Sequence, residues 1–245
     1  MEVAKVIWCI VAAASVVAGI IQSVTGFGSV VFLMMVLPFF FDMVDAPALA
    51  IVINQLFCMA LFWKYRHHVR WRLVLPPTIA FGLANLITLS LVGGLDLRVL
   101  TMVFAVFLIL LALYFLVLAR HLRAAPRPAV GITCGALCGV SAGLFAIGGP
   151  PMALYFVAAT DDHASYLGCM QFLFTITGLT GIVGRLWGGL LRLSILPYAA
   201  VGSVCILLGA VIGGRIAGKL NANAMRTVIY VFVGISGVIL LAQQL

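Results

Sequence analysis

Two glycine-rich breaks in apolar sequence are the features of this chain best suited to binding a ligand. The first is Thr25-Gly-Phe-Gly-Ser29 and the second is Ala146-Ile-Gly-Gly-Pro-Pro151. Glycine lets a ligand approach the backbone, and proline is tolerated in the first turn of a helix. Each break therefore predicts an interrupted helix followed by a helix N-terminus. Unpaired N–H groups and a partial positive charge at such an end favour an anion.

Neutral polar side chains surround both breaks, within segments apolar enough to be buried in a membrane. An unpaired amide in lipid costs several kcal/mol, so these side chains are expected to face the protein interior. Helix–helix hydrogen bonding is the simpler explanation for a single Ser or Thr, and close packing is the simpler one for an isolated glycine. We predict that the substrate-binding residues are Gln22, Ser23, Thr25, Gly26, Gly28, Ser29, Asn54, Gln55, Gly148, Gly149, Pro150, Gln171 and Thr175.

Charged residues are confined to the predicted segment ends. The six acidic residues are Glu2, Asp42, Asp45, Asp96, Asp161 and Asp162. Asp42, Asp45, Asp161 and Asp162 precede helices, where capping is their simplest role. We expect Arg185 and Arg192 to reach the membrane interface, with attraction of anions at a vestibule as the alternative. The site is therefore predicted to be free of charged side chains.

The same residue types recur 120 positions apart. Matching pairs are Gly28 and Gly148, Asp42 and Asp162, Arg72 and Arg192, Pro77 and Pro197, and Gly93 and Gly213. This spacing indicates a tandem duplication of one membrane unit. A transporter whose central site lies between two discontinuous helices has this pattern.

Composition places the chain in the membrane class. Hydrophobic residues make up 65% of the chain and charged residues 8%, whereas a soluble domain has about a quarter charged residues. The net charge of +8 comes from basic clusters in the loops, so it predicts membrane orientation rather than nucleic-acid binding. We expect the stretch from Val3 to Ile21 to be a retained span, because no small-residue cleavage site follows it.

Ten apolar segments predict an all-α, polytopic membrane protein with two repeats of about five helical elements each. We predict residues 1–119 as the first repeat, 120–128 as a basic, proline-containing linker and 129–245 as the second repeat, with one short or broken helix in each. Counts of basic residues do not distinguish inverted from parallel repeats, but symmetric broken helices favour inversion. Under both arrangements the loops around residues 64–72 and 120–127 are cytoplasmic.

Several functions are disfavoured by missing motifs. The chain has no Ser-His-Asp arrangement, zinc-ligand spacing or nucleotide-binding motif, so we expect no enzyme activity, metal or cofactor. The six cysteines lie in apolar segments, where packing is their simplest role. Cys134 and Cys138 are one helical turn apart, which leaves a thiol-based sulfur relay as an alternative.

Four stretches carry a resemblance to a known family. They are Gln22-Ser-Val-Thr-Gly-Phe-Gly-Ser29, Ala46-Pro-Ala-Leu-Ala50, His68-Val-Arg-Trp-Arg72 and Gly148-Gly-Pro-Pro-Met-Ala-Leu-Tyr155. Together they resemble the sulfite exporter TauE/SafE family, also described as toluene-sulfonate uptake permeases. The resemblance implies a multi-pass carrier of the bacterial inner membrane for sulfite, sulfoacetate or another organosulfur anion, in either direction. The first break has Gly-Phe-Gly-Ser where many relatives have a run of glycines.

These observations together predict a secondary transporter of a small sulfur-containing oxyanion or organosulfonate, with its site at the repeat interface. The expected partners are the anionic substrate and the lipid bilayer, and the sequence is compatible with a homo-oligomer. A passive anion channel of the same fold is the alternative from another functional class. The two breaks are expected to lie close together, about halfway across the membrane.

Overall fold

The computed structural model describes residues 2–114, 127–216 and 222–243, so residues 120–126 of the predicted linker lie outside the described residues. Within those ranges the chain forms no β-strand. Six of its helices are long and apolar enough to cross a membrane. The helices are α1 (Glu2–Thr25), α2 (Ser29–Val36), α3 (Asp45–Tyr65), α4 (Trp71–Val92), α5 (Leu97–Leu113), α6 (Pro128–Phe145), α7 (Pro150–Ala159), α8 (His163–Trp187), α9 (Leu196–Ile216) and α10 (Ala222–Ala242).

Aspartates set the starts of three helices, as the sequence predicted for two of them. Asp42 accepts hydrogen bonds from the N–H groups of Val44 and Asp45. Asp162 caps α8 by accepting from the Ser165 N–H, and Asp96 caps α5. A carboxylate at this position satisfies N–H groups that have no partner inside the helix.

The same backbone conformation ends the helix before each break. Gly26 follows α1 with φ of 79°, and Ala146 follows α6 with φ of 60°. These residues are 120 positions apart. A left-handed residue directs the chain away from the helix axis, and α2 and α7 then begin at Ser29 and Pro150. The two short helices expected after the breaks have 8 and 10 residues.

Small residues bring helices of the two halves into backbone contact. On α9 the glycines contact α1, and on α6 they contact α4. In both interfaces the contacting residue numbers rise together, so the paired helices run in the same direction. The pairs are Gly19 with Ile206 and Ala210, Gly213 with Ile20, Gly135 with Pro77, Gly139 with Phe81, and Gly143 with Thr88.

The central pair, α3 and α8, runs antiparallel. Gly168 contacts Tyr65, Gly178 contacts Gln55 and Gly181 contacts Ile51, so the numbers fall on α3 as they rise on α8. Helices α4 and α8 run in the same direction, because Gly184 contacts Leu89 and Gly168 lies beside Val69, just before α4. Helices α3 and α9 begin beside each other, where Arg192 pairs with Asp45. Thus α1, α3 and α9 point one way, and α4, α6 and α8 point the other.

The outer helix faces are apolar and the charges lie at the ends. On α4, Ile79, Leu83, Ile87 and Leu91 are 59–64% exposed, which suits contact with lipid rather than water. One ion pair joins Arg70 to Asp161 at 2.6 Å, where α3 ends and α8 begins. A second joins Arg192 to Asp42 at 2.7 Å, at the opposite end of α3. Each pair links the two halves.

Candidate functional site

A cavity of about 50 Å³ lies between the two breaks, roughly halfway along α3, α4 and α8. One water needs about 10–15 Å³ on this measure, so the space suits a ligand of a few heavy atoms. The structure therefore brings the two breaks together around one small volume. The predicted binding residues that line it are Gln22, Gly28, Ser29, Asn54, Gln55, Gly148 and Gly149.

The other predicted residues lie outside the cavity lining. Ser23 faces α9, where its hydroxyl donates to the carbonyls of Gly19 and Ala210. The Thr25 hydroxyl donates to the Ile21 carbonyl. Gly26 shapes the first break, and Pro150 begins α7. Gln171 and Thr175 are buried on α8 beside the lining residues.

Buried amides of three helices hold the first break in place. The Ser29 hydroxyl lies 2.8 Å from Oδ1 of Asn54 and also contacts Oε1 of Gln22. Nε2 of Gln22 donates to Oε1 of Gln171 at 3.3 Å. Gln171 in turn donates to the carbonyl of Gly26 at 2.8 Å. Gln171 therefore positions the break, and Gln22, Ser29 and Asn54 present polar atoms to the cavity.

Cys58 joins this network, although the sequence suggested only a packing role for it. Its sulfur accepts from Nδ2 of Asn54 at 3.1 Å and from Nε2 of Gln22 at 3.4 Å. The side chain is 1% exposed. The signal in the sequence was its spacing, because Cys58 follows Asn54 by one helical turn.

The two helix N-termini contribute different donors. The first-turn N–H groups of Ser29, Val30 and Val31 have no carbonyl partner within α2, and these residues line the cavity. Helix α7 begins with Pro150 and Pro151, which carry no N–H. The second break is therefore expected to donate through the backbone of residues 147–149, all of which line the cavity.

Glycine is required where the breaks meet the cavity. Gly28 has φ of 101°, a conformation that other residues rarely adopt. A Cβ on Gly148 would lie 2.5 Å from the Phe81 ring and 2.8 Å from the Cys138 carbonyl. The lining also includes residues that were not predicted to bind substrate, among them Phe81, Asn85, Phe174, Thr177 and Gly178. Their positions depend on how α4 and α8 are rotated, which no local pattern specifies.

Arg185 is not exposed at a helix end, contrary to the expectation from the sequence, although none of the residues that line the cavity is charged. Its side chain is 2% exposed and is enclosed by neighbouring helices in the last turn of α8. Its Nη2 atom donates to the carbonyl of Gly143 at 3.2 Å. A Cβ on Gly181 would lie 3.6 Å from Nη1 of Arg185 and 3.9 Å from Nδ2 of Asn85. Since Asn85 lines the cavity, the guanidinium lies just behind it.

Two aspartates outside the spans, Asp42 and Asp162, have pKa values below the ordinary value. Burial raises the pKa of Asp42. The N–H groups of Asp45 and Val44 and the Arg192 guanidinium together lower this pKa by more, so it lies below its ordinary value of 3.8. Hydrogen bonds from Ser165 hold the pKa of Asp162 below its ordinary value. Both carboxylates therefore contribute stability above about pH 4, which is lost as the pH falls through their folded pKa values.

A family model decides the class of protein. The model described as "Sulfite exporter TauE/SafE" matches residues 11–240, which is nearly the whole chain. The chain belongs to the TauE/SafE family. No curated protein and no solved structure gives a significant match. TauE/SafE is a transporter family for sulfite and related sulfur compounds. Membership of this family and the six apolar helices together identify the chain as a multi-pass membrane protein.

Proposed function

We propose that this TauE/SafE protein is a secondary transporter that moves a small sulfur-containing oxyanion across the bacterial inner membrane. The observation that carries the proposal is the cavity itself, lined by both breaks and by neutral donors of α1 and α3. Aligned N–H groups and amides favour an anion by roughly 0.3–2 kcal/mol each in partly buried geometry. Such a site holds an anion weakly enough to release it, as a carrier requires.

Cavity size narrows the substrate class. A volume of about 50 Å³ suits sulfite, with one sulfur and three oxygens. Sulfoacetate or an aromatic sulfonate would require Phe81 or Phe174, which line the cavity, to move. We therefore favour sulfite over larger organosulfonates for the conformation described, and we infer that the anion is bound without any catalytic step.

We also propose that the halves are inverted repeats, divided at residues 120–128. The support is the direction of two equivalent helices. Helices α3 and α8 occupy the same place in the order of their halves, and they run antiparallel, as the contacts of Gly168 with Tyr65 and of Gly178 with Gln55 require. Inverted repeats supply two related conformations that open to opposite sides. The ion pairs Arg70–Asp161 and Arg192–Asp42 lie at opposite ends of α3, where rearrangement would accompany the change in access.

Orientation provides a first prediction. Lys64, Arg66, Arg70, Arg72 and Arg215 lie at one end of the helix bundle, and that end is expected to be cytoplasmic. In a cysteine-free background, His67→Cys should react with a membrane-impermeant maleimide only after the membrane is permeabilised. Leu95→Cys, at the opposite end of α4, should react in intact spheroplasts. The reverse pattern would contradict the proposed orientation.

A cysteine-free protein tests the sulfur-relay alternative. We expect replacement of all six cysteines, with Cys58→Ser to preserve an acceptor for Gln22 and Asn54, to retain transport within about fivefold of wild type. One neutral hydrogen bond contributes about 1 kcal/mol, which corresponds to about fivefold. The measurement is initial uptake of radiolabelled sulfite into proteoliposomes. Loss of uptake that returns when only Cys134 and Cys138 are restored would favour a relay.

Proteoliposome flux distinguishes a carrier from a channel. A carrier should give saturable sulfite flux, and sulfite loaded on the opposite side should accelerate it. An anion channel should instead give single-channel currents and no counter-transport stimulation. Protein-free liposomes are the control for leak, and currents without saturation would contradict the proposal.

A further inference from the structure

We propose that Arg185 and Asn85 form a cationic anion-binding station next to the central cavity, a role that the neutral site alone does not supply. This role rests on the proposed anion transport. Arg185 is the only buried cation among the residues whose side chains the structure describes. Asn85 is fully buried, and Arg185 is only 2% exposed. Both side chains lie on spanning helices, α4 and α8, at the end of the cavity towards the α8 C-terminus.

The polar atoms of this pair lack partners. Nη1 of Arg185 and both Nδ2 and Oδ1 of Asn85 are buried without a hydrogen bond within the described part of the chain. Buried polar groups are normally satisfied, and an uncompensated buried charge is strongly unfavourable. Two of these atoms, Nη1 of Arg185 and Nδ2 of Asn85, lie within 4 Å of the position of a Cβ on one glycine, Gly181. Their proximity indicates a group that is bound during function.

The missing partner should be an anion. No carboxylate in the described ranges pairs with Arg185, and the described ion pairs all lie at helix ends. The only bonds of the guanidinium to the described residues go from Nη2 to the carbonyls of Ala142 and Gly143. Nη1 thus remains available to an oxyanion, which an N–H of Asn85 can also bind. Guanidinium-to-oxyanion hydrogen bonds are among the stronger ones in proteins.

The station breaks the symmetry of the duplication. The position 120 residues before Arg185 is Tyr65, and the position 120 residues after Asn85 is Cys205. Among the residues whose side chains are described, a buried cation therefore lies on one side of the cavity only. An anion leaving the two breaks would meet Arg185 towards the end of α8, and no equivalent cation among the described residues would attract it towards the end of α3.

Binding and thermal unfolding of purified protein test the station. We expect Arg185→Met to raise the sulfite Kd at least about tenfold, because it removes one charge-assisted hydrogen bond to the anion, with Arg185→Lys keeping the Kd within about threefold. Arg72→Met removes the same charge from an exposed site that makes none of the described ion pairs and should leave Kd unchanged. The unfolding temperature of ligand-free Arg185→Met should not fall, because the variant removes a poorly compensated buried charge.

Each outcome decides something. Unchanged Kd in Arg185→Met would overturn the station while leaving the proposed function intact. A lower ligand-free unfolding temperature without rescue by Lys would show a purely structural arginine. If sulfite does not bind wild type but sulfate or chloride binds in an Arg185-dependent way, the station stands and the sulfite assignment fails. If Arg185→Met does not fold, Asn85→Leu replaces it: a raised Kd supports the station, and an unchanged one overturns it.

Discussion

Gly148→Val is expected to abolish sulfite transport while the protein still inserts into the membrane. The added side chain would overlap the Phe81 ring and the Cys138 carbonyl, which lie 2.5 and 2.8 Å from the position of a Cβ. Overpacking of this kind costs about 1–3 kcal/mol, and here the displaced groups border the cavity. Uptake of radiolabelled sulfite into proteoliposomes should fall at least about 100-fold, because the space for the anion closes.

Gly82→Val is the matched control for this substitution. Nothing lies within 4 Å of a Cβ on Gly82, which is on α4 one residue from Phe81, so transport should remain within about threefold of wild type. Gly28→Val is a second test, because it imposes a side chain at φ of 101°. Insertion is followed by size-exclusion profile and membrane yield. Full activity in Gly148→Val and Gly28→Val would refute a site between the breaks.

Gln22→Leu has the second largest expected effect. The substitution keeps the approximate size of the side chain but removes the amide that contacts Ser29, Gln171 and Cys58. An unsatisfied buried polar partner costs about 1–3 kcal/mol, which corresponds to about 5- to 150-fold in binding. We expect the sulfite Kd to rise within that range. The free energy of unfolding should change by less than the free energy of sulfite binding.

Ser23→Ala is the neighbouring control. Its hydroxyl bonds to carbonyls of Gly19 and Ala210 at the interface with α9 and does not line the cavity. Sulfite affinity should therefore change less than about twofold, since these two hydrogen bonds lie away from the anion. Equal losses of affinity in Gln22→Leu and Ser23→Ala would indicate a general packing effect and would contradict a binding role for Gln22.

Local signals predicted the helices well. The apolar lengths, the capping aspartates and the two breaks are properties of neighbouring residues, so Asp42, Asp162 and Gly26 could be interpreted without knowledge of the packing. The first helical position of Pro150 was predicted for the same reason. The ten apolar segments correspond in number to the ten helices described.

The site required information that no local pattern contains. Which face of α4 meets the cavity depends on its packing against α6 and α8, so Asn85 was missed. Arg185 lies near a helix end, where a membrane arginine usually reaches the interface, but the end of α6 covers it. Adjacent residues also face different surroundings. Gln22 lines the cavity, whereas Ser23, about 100° further around α1, packs on α9.

The central claim is that a small oxyanion sits between the two breaks, and selenite tests it most directly. Selenite has the shape and charge of sulfite, and selenium gives an anomalous diffraction signal. Crystals soaked in selenite should show one anomalous peak within hydrogen-bonding distance of the backbone of residues 28–31 and 147–149, and excess sulfite should displace it. A peak found only at the exposed arginines of the loops, or no peak at concentrations that inhibit sulfite uptake, would contradict the account.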